Sequence, residues 1–338
     1  MKNTLVRQTD ETYSNYRIPG IVITRKNTVL TYYEARRTAS DWAHMDILLY
    51  RSEDGGETFS DAVVMARGTD EFPTVNNPVC IVDEDNTIHF IYCRNYSIGG
   101  GDVFYRRSED DGKTWSEPRN IMAMTRPEVH NVFACGPGHG IRTKDGTLLV
   151  PVWMVKKDAG APLFEHHPGT VSTLFSHDRG ETWQLGEEIP AQNGCNDPNE
   201  TQAALLSDGR VYLNVRTTAT GYRAYTVSEN GYEGWLPLTL DRTLPDPTCF
   251  GSTASAVVSG HHILAVVNCA DDTERRNLVC HFSYDDGKTW ADSVTVEPDD
   301  AGYADIAMTE DGTVYVLYEQ EAGIRDRLAV FPIPDMGK

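Results

Sequence analysis

The sequence predicts an all-β chain folded as a six-bladed β-propeller, and three observations lead there. A Ser-x-Asp-x-Gly-x-Thr-aromatic pattern returns four times, a second family of tight turns repeats out of phase with it, and no segment sustains a helical period of apolar residues. The first repeat reads "SEDGGETF" from Ser52, "SEDDGKTW" from Ser108, "SHDRGETW" from Ser176 and "SYDDGKTW" from Ser283, with a degenerate copy, "SENGYEGW", from Ser228. The steps between copies are 56, 68, 52 and 55 residues. Each copy is read as a hairpin turn: the Asp side chain accepts backbone N–H bonds across the tip, Gly takes the positive φ, and the aromatic packs beneath.

The second set of turns, each flanked by β-forming residues, is "ITRKNTVLTYY", "IVDEDNTIHFIY", "IRTKDGTLLVPVW", "LLSDGRVYLNV", "VVSGHHILAVV" and "MTEDGTVYVLYE". These six hairpins, roughly 51 to 63 residues apart, divide the chain into six units. Each unit reads strand, tight turn, strand, loop, strand, Asp-containing turn, strand, and six such units make a propeller. The last unit shows three strands, ending in "RLAVFPIP". The segment "NTLVR" is therefore expected to supply its fourth strand and close the ring, making residues 1–338 a single domain.

Composition narrows the partners. Thirty basic against 50 acidic residues give a formal charge of −20, which argues against nucleic acid and anionic membranes. Any anion site must then gather its own arginines. Seven cysteines without CxxC or zinc spacing, mostly inside apolar runs such as "CIV" and "LVCHF", read as small core residues of a reducing compartment, with one disulfide left open. The start, "MKNTLVRQTDE", has no apolar signal core and no stretch approaches a membrane span. The chain as it stands is expected to be cytoplasmic, or secreted or periplasmic had a signal been removed; oligomeric state is left open.

The blade pattern places the unusual residues. The start of strand one, the end of strand two and the start of strand three of a blade share one rim, with both sets of turns on the other. Arg17 stands at the start of strand one in blade one, and Arg36 and Asp41 follow its strand two. Glu200 precedes blade four and Arg216 ends its strand two; Arg275 follows strand two of blade five; Tyr303 opens blade six and Glu319 closes its strand two. All eight fall on one rim around the axis. Arginines from three blades aimed into one funnel repel one another unless an anion lies between them.

In this order the motifs "YRIP", "EARRTASD", "NETQAALLSDGRVYLNVR", "RRNLVCHFSYDDGKTW", "GYADIA" and "LYE", together with the Asp boxes, resemble the bacterial-type exo-sialidases from about residue 14 to 333. The resemblance implies that Arg17, Arg216 and Arg275 bind a substrate carboxylate. It also implies that Asp41 is the acid/base, Tyr303 the nucleophile, Glu200 its partner, and Glu319 the residue that orients Arg17. Arg275 rather than the adjacent Arg276 aligns with the third arginine, and spacing after Arg36 favours Asp41 over Asp46. Trp42 is expected to desolvate Asp41 and raise its pKa.

The implied chemistry is retaining hydrolysis of an α-sialoside. Three guanidiniums hold the carboxylate on the anomeric carbon. A neutral phenol escapes the like-charge repulsion that a carboxylate nucleophile would meet; sialidases are the tyrosine exception among glycosidases. No metal or organic cofactor enters this chemistry. The family commonly pairs the arginine matching Arg36 with an aspartate before a proline to bind a sugar hydroxyl, but "TVNNPVC" puts Asn77 there. The absence of an evident carbohydrate-binding module suggests small soluble glycosides or oligosaccharides as substrates. Alternatives are a same-fold hydrolase or lyase for another acidic sugar, a trans-sialidase, or a sugar-binding propeller without catalysis. Two clusters are set aside: "CGPGHG" (135–140) lacks a P-loop lysine and is expected to bring blade three toward the funnel with His139 lining it, and His166 and His167 of "EHHPG" are read as a surface loop.

Overall fold

The computed structural model describes residues 1–95, 101–157 and 166–334. Six sheets surround an axis. Blade one is Asn15–Ile23, Val29–Arg36, Met45–Ser52 and Val63–Arg67, and blade two is Val75–Val82, Ile88–Arg94, Asp102–Ser108 and Arg119–Asn120. Blade four is Thr201–Leu205, Val211–Val215, Tyr222–Ser228 and Thr239–Pro245; blade five is Ser252–Val258, His261–Cys269, Arg276–Ser283 and Asp292–Asp300. Blade six takes Ala304–Met308, Thr313–Gln320 and Arg325–Pro332 from the C-terminal end. Its outermost strand is Lys2–Gln8, antiparallel to Arg325–Pro332 with Asn3 opposite Ala329. The N-terminal strand thus closes the ring, as the three-strand last unit requires.

Blade three departs from the regular pattern. Its inner strand is expected as one piece before the "KDG" turn, but is found as His130–Cys135, Gly138–His139 and Ile141–Arg142. The middle piece leaves its blade and runs parallel to Val79–Cys80 of blade two. Pro137 has no N–H to donate to a ladder, and Gly136 and Gly138 turn the chain at φ of 51° and 86°. A side chain at Gly138 would stand 2.3 Å from Gln202 Nε2 and 3.0 Å from Asp305 Oδ1, so only glycine passes the axis there. The outer strand is also split, into Gln184–Leu185 and Ile189–Pro190.

At the axis the inner strands are tied through one carboxylate. Asp305 of blade six, fully buried, accepts bonds from the Ile21 N–H of blade one (2.9 Å) and Ser252 Oγ of blade five (2.6 Å), and pairs with His139 Nδ1 (2.8 Å). Gln202 of blade four donates to the Pro137 carbonyl at 2.6 Å, and Tyr32 of blade one donates to the Gly138 carbonyl at 2.9 Å. Apolar side chains fill the wedges between blades, among them Tyr32 edge-on to Phe90 at 5.5 Å and Trp183 beside Tyr105 at 5.9 Å. All seven cysteines are free and buried, so the disulfide left open by the sequence is not formed. Among the described residues no helix is long and apolar enough to cross a membrane.

The Asp-containing turns share one bonding scheme. In the copy at Ser108, Ser108 Oγ donates to Asp110 Oδ1 (2.9 Å) and accepts the Gly112 N–H (2.9 Å), while Asp110 takes the Thr114 N–H (2.8 Å) and hydroxyl (2.6 Å). The same contacts recur around Asp54, Asp178 and Asp285. In the degenerate copy Asn230 Oδ1 takes the Tyr232 and Glu233 N–H groups instead. Partial burial works to raise the Asp110 carboxyl, but the bonds from Thr114 and Ser108 outweigh it and hold it at about 2. Because this value lies below the unfolded one of about 3.9, the stabilisation is complete above about pH 5 and is lost as pH falls toward the folded value. Urea midpoints measured against pH should therefore show Asp110→Asn less stable than wild type near neutrality, with the gap closing by about pH 2. A gap that persists unchanged into acid would contradict the role given to this carboxylate.

Candidate active site

The "YRIPG" stretch opens the inner strand of blade one with a bulge. Ile18 takes φ of 57°, and the register slips between Arg17 and Gly20 because Pro19 cannot donate to the neighbouring strand. A β-branched residue at positive φ is strained, which occurs where surrounding structure over-determines the backbone. Here the determinant is Glu319 of blade six, 1% exposed. Its Oε1 accepts both Arg17 Nε and the Ile18 N–H at 2.9 Å. Glu319 holds the Arg17 guanidinium at the cavity wall and, outweighing burial, keeps it firmly protonated. Gly302 leaves room for this: a side chain there would reach 2.8 Å from Glu319 Oε2.

Opposite stands the second group. Tyr303, 6% exposed, donates its hydroxyl to both oxygens of Glu200 (2.7 and 2.8 Å) and accepts Arg216 Nη1 at 2.8 Å. Arg216 Nη1 also pairs with Glu200 Oε2. Burial, reinforced by Glu200 and opposed by Arg216 and Arg275, pushes the phenol well above its usual pKa and keeps it neutral. Arg17 and Arg275 place their guanidinium carbons 5.3 and 5.5 Å from the centre of the same ring. The three arginines singled out in the sequence therefore converge on Tyr303. Among the described residues Arg17 and Arg216 each pair with a glutamate while Arg275 pairs with none, so of the three it is the one whose charge has no carboxylate beside it. Arg276 turns outward to Asp271 at 2.8 Å, as expected.

The third group corrects two expectations. Arg36, buried, gives Nε (2.9 Å) and Nη2 (2.5 Å) to Glu34 Oε2 and Nη1 to Asp41 Oδ1 at 2.6 Å. Burial raises the Asp41 carboxyl, but the Arg36 guanidinium, helped by Arg17, outweighs it and holds the group below the ordinary carboxylate range. The expectation that Trp42 lifts this pKa is therefore wrong for the free protein. Trp42 stands outside the cavity lining, with its ring 6.3 Å from that of His166. Asp46 lies elsewhere, accepting the Tyr13 hydroxyl at 2.7 Å.

Asn77 repeats the bulge of Ile18, with φ of 51° before Pro78. Its N–H donates to Glu34 Oε1 (2.7 Å) and its Nδ2 to the Cys135 carbonyl (3.0 Å). The carboxylate that balances Arg36 is thus Glu34, from blade one, and the Asn77 amide nitrogen is engaged by backbone. Glu34 was missed in the sequence; its signal was the i, i+2 spacing to Arg36, which puts both on one strand face.

Arg17, Arg36, Asp41, Asn77, Glu200, Arg216, Arg275 and Tyr303 line one cavity of about 210 Å³. Ile18, Glu34, Asn76, Trp153, His166, His167 and Asn199 also line it, so the two histidines, set aside in the sequence as a surface loop, stand at the cavity, His167 still half exposed. His139 instead belongs to the axial tie with Asp305 and opens toward the opposite face. Cys249, fully buried, lies behind the arginines; a hydrogen bond from Cys269, with Arg275 and Arg216 nearby, lowers its thiol pKa against burial. Among the described residues no three His, Cys, Asp or Glu side chains gather as metal ligands would.

Replacing Asn77 with aspartate would set a carboxylate oxygen against the Cys135 carbonyl, next to Glu34. Asn77→Asp is expected to cost about 2–4 kcal/mol of stability in urea titrations at neutral pH. The pKa of the introduced, buried acid would lie above its unfolded value. The deficit should therefore shrink toward pH 4, where the carboxyl, once protonated, can donate to the carbonyl. A deficit independent of pH would show that charge is not its cause.

The BNR repeat-like domain model matches residues 62–316. A sialidase of Micromonospora viridifaciens is 32% identical over 93% of this chain, which covers 51% of that protein. A sialidase of Bacteroides fragilis is 27% identical over 92% of the chain, covering 61% of its length. The chain thus spans between half and three fifths of these relatives. Among solved structures, Hadza microbial sialidase Hz136 superposes with a TM-score of 0.87 at 27% identity, over 98% of this chain and 68% of that one. By the repeats, the six blades and this match, the chain belongs to the BNR repeat-like domain family, among the sialidase-type propellers.

Proposed function

We propose that the protein is a retaining exo-α-sialidase, releasing terminal sialic acid from small α-sialosides. The observation that carries this reading is the Tyr303 hydroxyl, bonded to Glu200 and Arg216 beneath a cavity that also holds Arg17 and Arg275. The names of the relatives agree with it.

A carboxylate on the anomeric carbon supplies the negative charge that Arg275 lacks, and Arg17 and Arg216 complete its charge-assisted bonds. The anomeric carbon then sits over Tyr303. The phenol is neutral in the free protein, so it approaches without like-charge repulsion and gives its proton to Glu200 as it attacks. Arg216, bonded to the same oxygen, stabilises the developing phenolate.

Asp41 protonates the leaving oxygen. In the free protein it is ionised by Arg36; a bound glycone draws Arg36 toward a sugar hydroxyl, excludes water and adds a carboxylate, all of which raise Asp41 toward a working acid. After the aglycone leaves, Asp41 takes a proton from water, which attacks the glycosyl–tyrosine. Two displacements return the original anomer.

Turnover of a fluorogenic N-acetylneuraminyl glycoside, with the anomer of the first product followed by NMR, tests the reading. Wild type should release the α-anomer. Tyr303→Phe should lose roughly 10³-fold or more in kcat with its melting temperature preserved. Undiminished turnover by Tyr303→Phe would remove the nucleophile assignment; release of the β-anomer first would remove the double displacement. Activity confined to another acidic sugar would replace the substrate and leave the site geometry intact.

A further inference from the structure

The hairpin between Thr313–Gln320 and Arg325–Pro332 of blade six turns on the funnel rim, directly after Glu319. Four-residue hairpin loops are most often built on a type I turn, whose central residues have negative φ. This loop does the opposite. Glu321, Ala322 and Gly323 take φ of 51°, 53° and 84°, the one run of three successive positive values among the described residues. The left-handed region presses the Cβ of an L-residue against the following carbonyl oxygen. Two non-glycine residues in succession are therefore held there by their surroundings.

Three neighbours hold the turn. The Glu321 N–H donates to Asp300 Oδ2 at the end of blade five, and Asn15 Nδ2 of blade one donates to the Ala322 carbonyl at 3.0 Å. The Thr9 N–H, just past the N-terminal strand, donates to the Ile324 carbonyl at 3.1 Å, and the Ile324 N–H closes the turn on the Glu321 carbonyl at 3.2 Å. What the turn brings into place is Gly323, buried against Arg17. A side chain built on Gly323 would stand 2.3 Å from Arg17 Cδ, 3.2 Å from its Cγ and 2.5 Å from the Tyr16 carbonyl oxygen. The Gly323 backbone thus packs on the stem of Arg17.

Arg17 needs that contact. Among the described residues its guanidinium bonds to the protein through Nε alone, at Glu319, which leaves both terminal nitrogens for a ligand. One bond at Nε does not fix the several torsions of an arginine stem, and a guanidinium fork meets a carboxylate with two bonds only when it is aimed correctly. The Arg17–Glu319 pair lies between two glycines, Gly302 beside the carboxylate and Gly323 beside the stem.

We propose that the turn Glu321–Ile324 is a clamp on Arg17 and that Gly323 is its positioning residue, fixing the stem so that the terminal nitrogens meet the substrate carboxylate. This deepens the sialoside reading, on which it rests, by naming the backbone element that aims one arm of the anion site. Because blade one, blade five and the N-terminal segment all bond to the turn, the direction of Arg17 follows from how those parts meet.

The test compares one ligand with and without its charge. Titration calorimetry gives Kd for the 2,3-unsaturated derivative of N-acetylneuraminic acid and for its C1 primary amide, on wild type and Gly323→Ala. Wild type should prefer the acid. Gly323→Ala should weaken the acid by about 10- to 100-fold and the amide by less than about threefold, because only the acid draws on an aimed guanidinium. An unfolded fraction alters the stoichiometry of such a titration and not the Kd, so a merely structural role would not produce this split. Where Gly323→Ala does not fold, Asn15→Ala, which cuts the bond to the Ala322 carbonyl, should show the same split at about 3- to 10-fold on the acid. Equal weakening of acid and amide, or none of either, would overturn the clamp and leave the sialidase reading standing. A wild type that turns over no sialoside and binds the acid no better than the amide would overturn that reading, and the clamp with it.

Discussion

Buried carboxylates standing beside the arginines are what allow this site to exist. Guanidinium groups brought together in a cavity repel, and removing each from water costs several kcal/mol unless a partner stands ready. Glu319 of blade six holds Arg17 of blade one, across 302 positions of sequence. Glu200, just ahead of blade four, serves Arg216 and reaches Tyr303 of blade six. Closing the ring and completing the arginine cavity are therefore linked: the Arg17–Glu319 pair forms only when the first and last blades meet.

The backbone cooperates through one device used twice. Before Pro19 and before Pro78 the inner strand bulges, a residue turns to positive φ, and its N–H is aimed at a buried glutamate, Glu319 in one case and Glu34 in the other. Each glutamate thus fixes both an arginine and the strand start beside it. The proline removes a ladder donor that would compete, and the strain at Ile18 is met by the carboxylate it serves. Below the site, Asp305 joins the inner strands of blades one and five and the crossing segment of blade three, so the funnel floor is held by hydrogen bonds rather than by packing alone.

Much of this was legible in the sequence. Turn chemistry is local: Ser, Asp, Gly and Thr at fixed offsets make the same bonds wherever they occur, so the repeat, the blade count and the closing N-terminal strand could be read directly. The rim assignment also followed, since strand alternation and hairpin order decide which ends of strands face the same way. That placed Arg17, Arg216, Arg275, Tyr303, Glu200, Asp41 and Arg36 on one cavity and Glu319 directly behind it. What escaped depends on contacts between distant segments. Glu34 looked like any strand residue until Arg36 and the Asn77 N–H closed on it. His166 and His167 read as a plain surface loop because nothing local announces that they stand at the cavity. The broken inner strand of blade three depended on how close blade four and the axis come to Gly138.

The sequence by itself determined the repeat, the propeller and the identity of the residues at the funnel, because these rest on short-range turn geometry and on the order of strands. Only the tertiary structure decided the charge state and neighbours of each: Asp41 held ionised by Arg36 and, among the described residues, Arg275 left without a carboxylate. Protonation and hydrogen bonding depend on which groups come within a few ångströms, and that distance is set by how six blades close around an axis.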